Sequence, residues 1–124
     1  MNGRKEMVVV FRDEKKDVLL QRAGDAWAFV SGEMGARERP ERAAVRVAEQ
    51  TFGAVPQIGS YLGATKYTTE GVIVERHVFV VPLKHALERL AEHEHMKLYP
   101  LAEVKKLKLN EGDTKVLGML EKML

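Results

Sequence analysis

The residues best suited to chemistry lie in and around one loop that leads from an apolar strand into a helix. Glu33 lies in the predicted loop, where its carboxylate could reach a site at the start of the helix. Glu38 in the loop and Arg46 in the helix carry opposite charges. Gln50 offers a neutral oxygen from the helix, and Arg22 precedes the strand at a place where an anion could be bound. Arg22, Glu33 and Gln50 are therefore the candidates for a ligand pocket.

A second stretch with possible chemistry is the run EHEH at residues 92–95. If this segment were extended, both imidazoles would lie on one side of it, a geometry that could bind zinc or nickel. No third ligand is evident, and a polar run at the end of a helix is usually a solvated loop. Three lysines favour a solvated edge over a phosphate site: Lys105, Lys106 and Lys108. The sequence contains no nucleophile elbow, phosphate-binding P-loop or dinucleotide fingerprint, so no other enzyme family is indicated.

The composition limits the class of protein. With 124 residues the chain is expected to form one domain, residues 1–124. Hydrophobic residues make up 45% and charged residues 31%, without a long apolar run or a leader, so we expect a cytoplasmic protein that neither spans a membrane nor is secreted. The absence of cysteine excludes disulfides and thiolate chemistry. The net charge of +2 is spread over interleaved acids and bases, which argues against a dedicated nucleic-acid binder.

The first half of the chain must position the loop and the helix. Residues 7–11 and 18–20 are apolar, β-favouring runs separated by a polar stretch, and they predict an opening antiparallel hairpin. Residues 27–31 predict a short, largely buried strand, after which Gly32 and Gly35 would relieve steric clashes in the loop. The helix should begin near Pro40 and end at Gly53, a good left-handed terminator.

The second half predicts more strands and two or three helices. Residues 58–67 and 72–81 flank a turn and predict a longer hairpin. Residues 83–91 have the spacing of a short amphipathic helix, 96–99 predict a strand broken by Pro100, and 101–107 predict one or two helical turns. Asp113 or Thr114 could cap a terminal helix. Its predicted buried stripe consists of Val116, Leu117, Leu120, Met123 and Leu124.

The stretch from residue 27 to 54 resembles the signature of the Nudix hydrolases, G-x5-E-x7-R-E-U-x-E-E-x-G-U, in which U is a bulky aliphatic residue. Gly32, Glu38, Arg46 and Gly53 occupy the fixed positions of that signature at the required spacing. The resemblance implies that Glu38 contacts Arg46 and supports the loop, without a catalytic role. The segment YPLAE at 99–103 is also similar to a turn of the family. The resemblance covers nearly the whole chain and implies a MutT-like α/β fold, an α/β/α sandwich around a mixed central β-sheet.

Three positions of the signature depart from the family. Where members have the glutamates that hold a divalent metal ion, this chain has Val47, Gln50 and Thr51. These positions share one helical face by their spacing, so carboxylates there would suit Mg²⁺. Valine offers no ligand, and neutral oxygens neither offset the desolvation of a doubly charged ion nor act as a general base. Ser31 and Gly35 also replace a glycine and a metal-binding glutamate that are common in the family.

The departures lead to a degenerate Nudix box and to three functional hypotheses. The first is a Nudix-fold protein that binds a nucleotide or another phosphorylated ligand, with hydrolysis lost or much reduced and no metal site. The second is an active pyrophosphohydrolase whose Mg²⁺ or Mn²⁺ ligands are relocated to Glu33 and Glu38. The third is a non-catalytic assembly module, for instance a homodimer that pairs through the apolar strand at residues 72–81.

Overall fold

The computed structural model describes residues 3–53, 59–83 and 95–123, and within these ranges the chain forms six strands and three helices. The strands are β1 (Gly3–Arg12), β2 (Val18–Ala23), β3 (Ala26–Glu33), β4 (Ser60–Thr69), β5 (Val72–Pro82) and β6 (Met96–Tyr99). The helices are α1 (Pro40–Phe52), α2 (Leu101–Val104) and α3 (Glu111–Met123). Strands and helices therefore mix along the chain, as expected of an α/β protein.

The strands form one sheet in the order β4-β5-β1-β3-β2-β6. Strand β1 runs parallel to β5 and antiparallel to β3, and each other neighbouring pair is antiparallel. The apolar runs of β1 and β5 are buried on both faces, which is typical of strands in the middle of a sheet covered on two sides. The predicted mixed central sheet is confirmed.

Alternate side chains of β1 belong to two separate hydrophobic cores, one on each face of the sheet. Met7, Val9 and Phe11 of β1 pack on one face against the apolar side of α1. Val8 and Val10 pack on the opposite face against α3. Because successive side chains of a strand point to opposite faces, the short run MVVVF supplies both cores at once. The layers are those of the predicted α/β/α sandwich.

The predicted opening hairpin is only partly right. Strands β1 and β2 are antiparallel, but they pair at a single position, Arg12 with Val18. Beyond that point β3 lies between them, and β2 pairs with β3 and β6 instead. Strand propensity cannot distinguish the two arrangements, because β3 and β2 are both apolar enough to occupy the place beside β1.

The second hairpin is as predicted, and its position corrects the assembly hypothesis. Strands β4 and β5 are antiparallel and meet at Glu70 and Gly71, whose φ angles of 50° and 77° suit a tight hairpin turn. Strand β5 lies between β4 and β1, so its backbone hydrogen-bonding edges are both used. Most of its apolar side chains are buried, with Ile73 as the exposed exception. This strand therefore offers no free edge for pairing with a second copy.

The carboxyl-terminal helix begins earlier than predicted. Asn110 caps it, because the Asn110 Oδ1 atom accepts a hydrogen bond of 2.9 Å from the backbone N–H of Asp113. The predicted caps, Asp113 and Thr114, lie inside the first turn. Three residues of the predicted stripe are buried, whereas Met123 is 41% exposed. Helix α2 covers only the first part of the predicted 101–107 segment.

Some predicted features lie outside the described residues. These are the start of the 58–67 strand, nearly all of the 83–91 helix, residues 92–94 of the EHEH run, and Leu124. Among the helices in the described ranges, none combines the length and the apolar character needed to cross a membrane.

Candidate functional site

The loop and helix that carry the signature are held at both ends by backbone geometry. Pro40 stands at the start of α1, where its missing N–H leaves no hydrogen bond unmade. Gly53 follows the helix with φ 72°, and its N–H donates to the Glu49 carbonyl oxygen at 2.7 Å. A left-handed glycine of this kind ends a helix without a steric penalty. Both ends of α1 therefore lie where the sequence predicts them.

Glu38 and Arg46 form a two-bonded ion pair that ties the loop to α1. Arg46 donates from Nε to Glu38 Oε2 at 3.0 Å and from Nη2 to Glu38 Oε1 at 2.8 Å. The Gly35 N–H donates to the same carboxylate at 3.1 Å, and Arg46 Nη2 also reaches the Glu33 carbonyl oxygen at 2.5 Å. The hydrogen bonds from Arg46 and Gly35 lower the pKa of Glu38 from 4.5 to about 2. Glu38 is thus an ionised acceptor engaged within the loop.

Gly32 lies in β3, and it is needed for packing and not for loop conformation. The structure places Val47 directly over it, and a Cβ atom on Gly32 would approach the Val47 Cγ2 atom to 2.9 Å. Val47 is only 2% exposed and belongs to the core between α1 and the sheet. The close approach of helix and strand therefore depends on a small residue at position 32.

In the family that the signature resembles, one face of this helix would carry metal ligands. In this protein the same face has few side chains that could bind a metal ion. Val47 is buried among apolar side chains. Thr51 donates its hydroxyl to the Val47 carbonyl oxygen at 2.8 Å, a bond within the helix. Gln50 is exposed and carries no charge. The face therefore offers no carboxylate to a cation.

The two glutamates considered as relocated metal ligands, Glu33 and Glu38, differ in their surroundings. Glu33 is the last residue of β3 and not a loop residue, while both oxygens of the Glu38 carboxylate accept hydrogen bonds from Arg46. Across residues 3–53, 59–83 and 95–123, no three His, Cys, Asp or Glu side chains come together in a way that could hold a metal ion.

A cavity of about 660 Å³ opens beside the loop, where the ends of several strands meet. Its basic side chains are Arg4, Lys5 and Lys66, and its acidic ones are Glu33 and Glu75. The remaining lining residues are Gly3, Met34, Ala36 and Ile73. Arg4 is paired with Glu6 at 3.4 Å, whereas Lys66 lies 3.9 Å from Glu75, at the limit of an ion pair. Lys5 and Lys66 both lie beside Glu75 in the register of the sheet, so the cavity combines basic and acidic groups.

The other pocket candidates lie elsewhere. Arg22 packs over the Trp27 ring at 5.1 Å on β2, and Gln50 lies on α1; neither lines this cavity. Glu33 alone of the three candidates does. The predicted solvated edge has ordinary surface ion pairs, which join Lys105 to Glu121, Lys106 to Glu103 and Lys108 to Asp25.

Sequence reasoning missed a hydrogen-bonded chain of three polar side chains on β4 and β5. The Tyr61 hydroxyl lies 2.8 Å from His77 Nδ1, and His77 Nε2 lies 2.8 Å from Glu75 Oε2. The spacing of Glu75 and His77, two residues apart on a predicted strand, indicates a shared face and could have drawn attention to the pair. Tyr61 could not have been added, because a bulge between Tyr61 and Gly63 shifts the register of β4 against β5.

Comparisons with known proteins agree with this architecture. The NUDIX domain family model matches residues 2–119. The E. coli ORF135 protein, solved in solution, is 20% identical with a TM-score of 0.78, and the match covers 99% of this chain and 91% of that one. The MutT protein from Methanosarcina mazei Go1 is 15% identical with a TM-score of 0.75, covering 94% and 90%. No curated protein sequence matched.

A third similar structure carries a ligand. The NUDIX domain of Shewanella oneidensis NrtR, solved in complex with ADP ribose, is 14% identical with a TM-score of 0.75, and the match covers 99% of this chain and 89% of that one. At sequence identities of 14–20%, these similarities show a shared fold and nothing more specific.

Proposed function

This chain belongs to the NUDIX domain family, and we propose that it binds a nucleotide or another phosphorylated small molecule without the metal-dependent hydrolysis for which the family is known. The single observation that carries the proposal is the state of the α1 face formed by Val47, Gln50 and Thr51. That face packs into the core at one position and presents only neutral groups at the other two.

The residues present do not suit Mg²⁺ or Mn²⁺. Such hard cations take oxygen ligands, and carboxylates supply most of the charge that offsets their dehydration. Val47 has no oxygen in its side chain, and the Thr51 hydroxyl is directed to a backbone carbonyl of its own helix. Both oxygens of the Glu38 carboxylate already accept hydrogen bonds from Arg46, so a metal ion at this carboxylate would lie beside the positive guanidinium group. Charge that develops on a diphosphate leaving group would therefore lack its usual stabiliser on this helix.

The cavity beside the loop supports a phosphorylated ligand. Its lining has three basic side chains, Arg4, Lys5 and Lys66, and two acidic ones, Glu33 and Glu75, and phosphate oxygens could accept hydrogen bonds from the basic groups. Its volume of about 660 Å³ falls within the range common for small-molecule sites. The solved complex of the NrtR domain with ADP ribose makes that nucleotide a reasonable first probe.

Calorimetric titration tests the proposal directly. Purified protein is titrated with ADP-ribose and with dinucleoside polyphosphates, in EDTA and then in Mg²⁺ or Mn²⁺, while product release is followed by chromatography. We expect saturable binding that does not require metal, and no product above the uncatalysed background. Hydrolysis at rates typical of enzymes, roughly 1 to 10³ per second, would contradict the proposal.

A further inference from the structure

Strand β4 is an outer strand of the sheet, and one of its two backbone edges faces away from β5. The strand order places β5 on one side of it, and no other strand of the described residues lies on its other side. The strand is ten residues long, from Ser60 to Thr69, and Lys66 is its only charged residue. A long outer strand with so little charge is a template on which another chain can add a strand.

The hairpin turn determines which backbone groups of β4 face outwards. Glu70 and Gly71 have positive φ angles of 50° and 77°, so they form a two-residue turn flanked by the pair Thr69 and Val72. The flanking pair of such a turn is hydrogen-bonded, and hydrogen-bonded pairs alternate with non-hydrogen-bonded ones along an antiparallel ladder. Lys66, three residues before Thr69, therefore belongs to a non-hydrogen-bonded pair. Its backbone N–H and C=O point away from β5.

Lys115 of α3 reaches this outward carbonyl. Its Nζ atom donates a hydrogen bond of 2.6 Å to the Lys66 carbonyl oxygen. The helix lies close to β4 because Gly112 packs against the Tyr67 ring, where a Cβ atom would come within 2.7 Å of Tyr67 Cε1. Lys115 follows Gly112 by about one helical turn, so its side chain can extend to the free edge. An ammonium group thus occupies a backbone acceptor that an added strand would need.

A second copy of β4 could use the same acceptor by pairing about a two-fold axis at Thr65. In an antiparallel pair of identical strands centred there, Ala64 of one copy lies opposite Lys66 of the other. Both residues direct their backbone groups outwards, and their side chains lie on the same sheet face. The Lys66 carbonyl would then accept a hydrogen bond from the Ala64 N–H of the second copy. Lys115 already occupies that position.

Charge also opposes this pairing. In the register centred on Thr65, the two Lys66 residues are diagonal neighbours, roughly 7–8 Å apart. Glu75 offsets part of the Lys66 charge, since its carboxylate lies 3.9 Å from Lys66 Nζ. The two Lys115 ammonium groups would remain beside the same carbonyls and would repel each other across the axis.

The other exposed parts of the sheet edges are protected by different means. The opposite outer strand, β6, is only four residues long. The first part of β4 has a bulge between Tyr61 and Gly63, which interrupts its ladder. Short edge strands, bulges and lysines are recognised ways of preventing pairing between sheet edges. The regular stretch from Gly63 to Thr69 lacks a bulge, and the hydrogen bond from Lys115 falls at its middle.

We propose that Lys115 is a gatekeeper residue, which prevents the free edge of β4 from pairing with a second copy of the chain. The positive charge at position 115 therefore controls self-association. This inference goes beyond the ligand-binding function proposed above and does not depend on it, because it is tested on the chain without any ligand.

Sedimentation equilibrium at micromolar concentrations tests the proposal. We expect the wild type to remain monomeric and Lys115→Ala to form dimers, with self-association at least roughly tenfold tighter, because a competing hydrogen bond and two positive charges are removed. Lys122→Ala is the matched control, since it removes one exposed charge from the last turn of the same helix. Adding Ala64→Pro to Lys115→Ala should restore the monomer, because proline removes an outward N–H that the ladder with β5 does not use.

Several results would overturn the inference. Lys115→Ala could stay monomeric at every concentration, or the wild type could dimerise as tightly as this variant. A Lys115→Ala dimer that persists with Ala64→Pro would use another surface, and equal dimerisation of Lys122→Ala would make net charge the cause instead of position. Should Lys115→Ala fail to fold by circular dichroism, Lys115→Met replaces it, because methionine keeps the aliphatic chain without the ammonium group.

Discussion

At the scale of single residues, the difference between binding and hydrolysis depends on what each side chain of α1 can offer to a cation. Val47 contributes to the core, and Thr51 satisfies a helical carbonyl. The sequence alone predicted the loss of carboxylates, because residue type is sufficient for that conclusion. It could not predict that Val47 packs over Gly32, since this contact depends on how closely the helix approaches the strand.

Restoring carboxylates should create a cation site on α1. In the double variant Gln50→Glu and Thr51→Glu, two adjacent carboxylates replace neutral groups, and we expect Mn²⁺ to bind at least tenfold more tightly than to the wild type. Electron paramagnetic resonance of free Mn²⁺ measures this directly. Thr114→Glu is the matched control, because Thr114 also donates its hydroxyl to a carbonyl four residues earlier. Equal affinity in the double variant and the wild type would count against a carboxylate requirement at these positions.

Glu38 should make stability depend on pH in the acidic range. Its folded pKa of about 2 lies below the ordinary value of 4.5, so the charged carboxylate stabilises the fold above pH 4.5. That contribution is lost as the pH falls through the folded pKa. We therefore expect Glu38→Gln to melt below the wild type at pH 7, and the gap between them to close from pH 4.5 towards pH 2. Circular dichroism melts at several pH values measure the gap. The exposed Glu14→Gln variant serves as the control, and a gap that persists unchanged near pH 2 would show the effect to be steric.

At the scale of elements, local periodicity was a good guide to where strands and helices lie, and a poor one to which strands become neighbours. Residues 96–99 and the helix from Pro40 to Gly53 appear where their patterns place them. The insertion of β3 between β1 and β2 has no local signal, because it follows from packing across the whole sheet. The helix cap is Asn110 and not Asp113, three residues later. Asparagine and aspartate are similarly good N-cap residues, so residue type alone does not decide between the two positions.

The contact between α1 and β3 should respond to a single methyl group. Gly32→Ala places a Cβ atom 2.9 Å from Val47 Cγ2, and overpacking of this kind typically costs about 1–3 kcal/mol. Urea unfolding of Gly32→Ala, Val47→Ala and the double variant measures the coupling. We expect the double variant to lose less free energy of unfolding than the sum of the two single changes, because the alanine at 47 makes room for the new methyl. If the losses of the two single variants simply add in the double variant, the helix has shifted to make room for the methyl group, and the proposed clash with Val47 is wrong.

Helix α3 is fastened to the sheet by a buried ion pair. Asp113 is fully buried, Arg76 is 3% exposed, and Arg76 Nη1 donates to Asp113 Oδ1 at 3.0 Å. Asp113→Ala would leave Arg76 with one carboxylate partner, Glu6, whose Oε1 atom lies 3.2 Å from Arg76 Nε, so we expect a loss of about 1–3 kcal/mol in denaturant unfolding. The exposed pair of Lys105 with Glu121 offers a contrast, since Glu121→Ala should cost about 1 kcal/mol or less. Comparable losses from the two variants would contradict this assignment.

At the scale of the whole molecule, the scaffold and the chemistry of the signature separate. The chain has the fold of proteins to which it is only 14–20% identical, because fold depends on apolar pattern, turn geometry and a few packing positions. The sequence predicted that scaffold through Gly32, Glu38, Arg46 and Gly53. It did not predict the cavity beside Lys66, which brings together residues of β1, β3, β4 and β5. It also did not predict the hydrogen bond between Tyr61 and His77, because the bulge in β4 changes which residues lie opposite each other.

Ligand binding should stabilise the whole fold without metal. At an ADP-ribose concentration of 100 Kd, mass action adds about 2.7 kcal/mol to the free energy of unfolding. For a domain of this size that corresponds to a rise in Tm of roughly 10 °C. Scanning calorimetry should give the same rise in EDTA and in Mg²⁺. A rise that appears only with Mg²⁺ would indicate a metal-bridged complex and contradict the proposed mode of binding.

The parallel pairing of β1 with β5 also has a kinetic consequence. Gly3 pairs with Ile73 and Arg12 with Pro82. During synthesis β1 therefore leaves the ribosome well before its partner strand β5. Closing so long a loop is entropically costly, and contacts of this range slow folding. The antiparallel β1–β3 ladder can form well before that. Newly made chains should therefore pause with one edge of β1 unpaired, and refolding should be slower than that of a helical bundle of similar length.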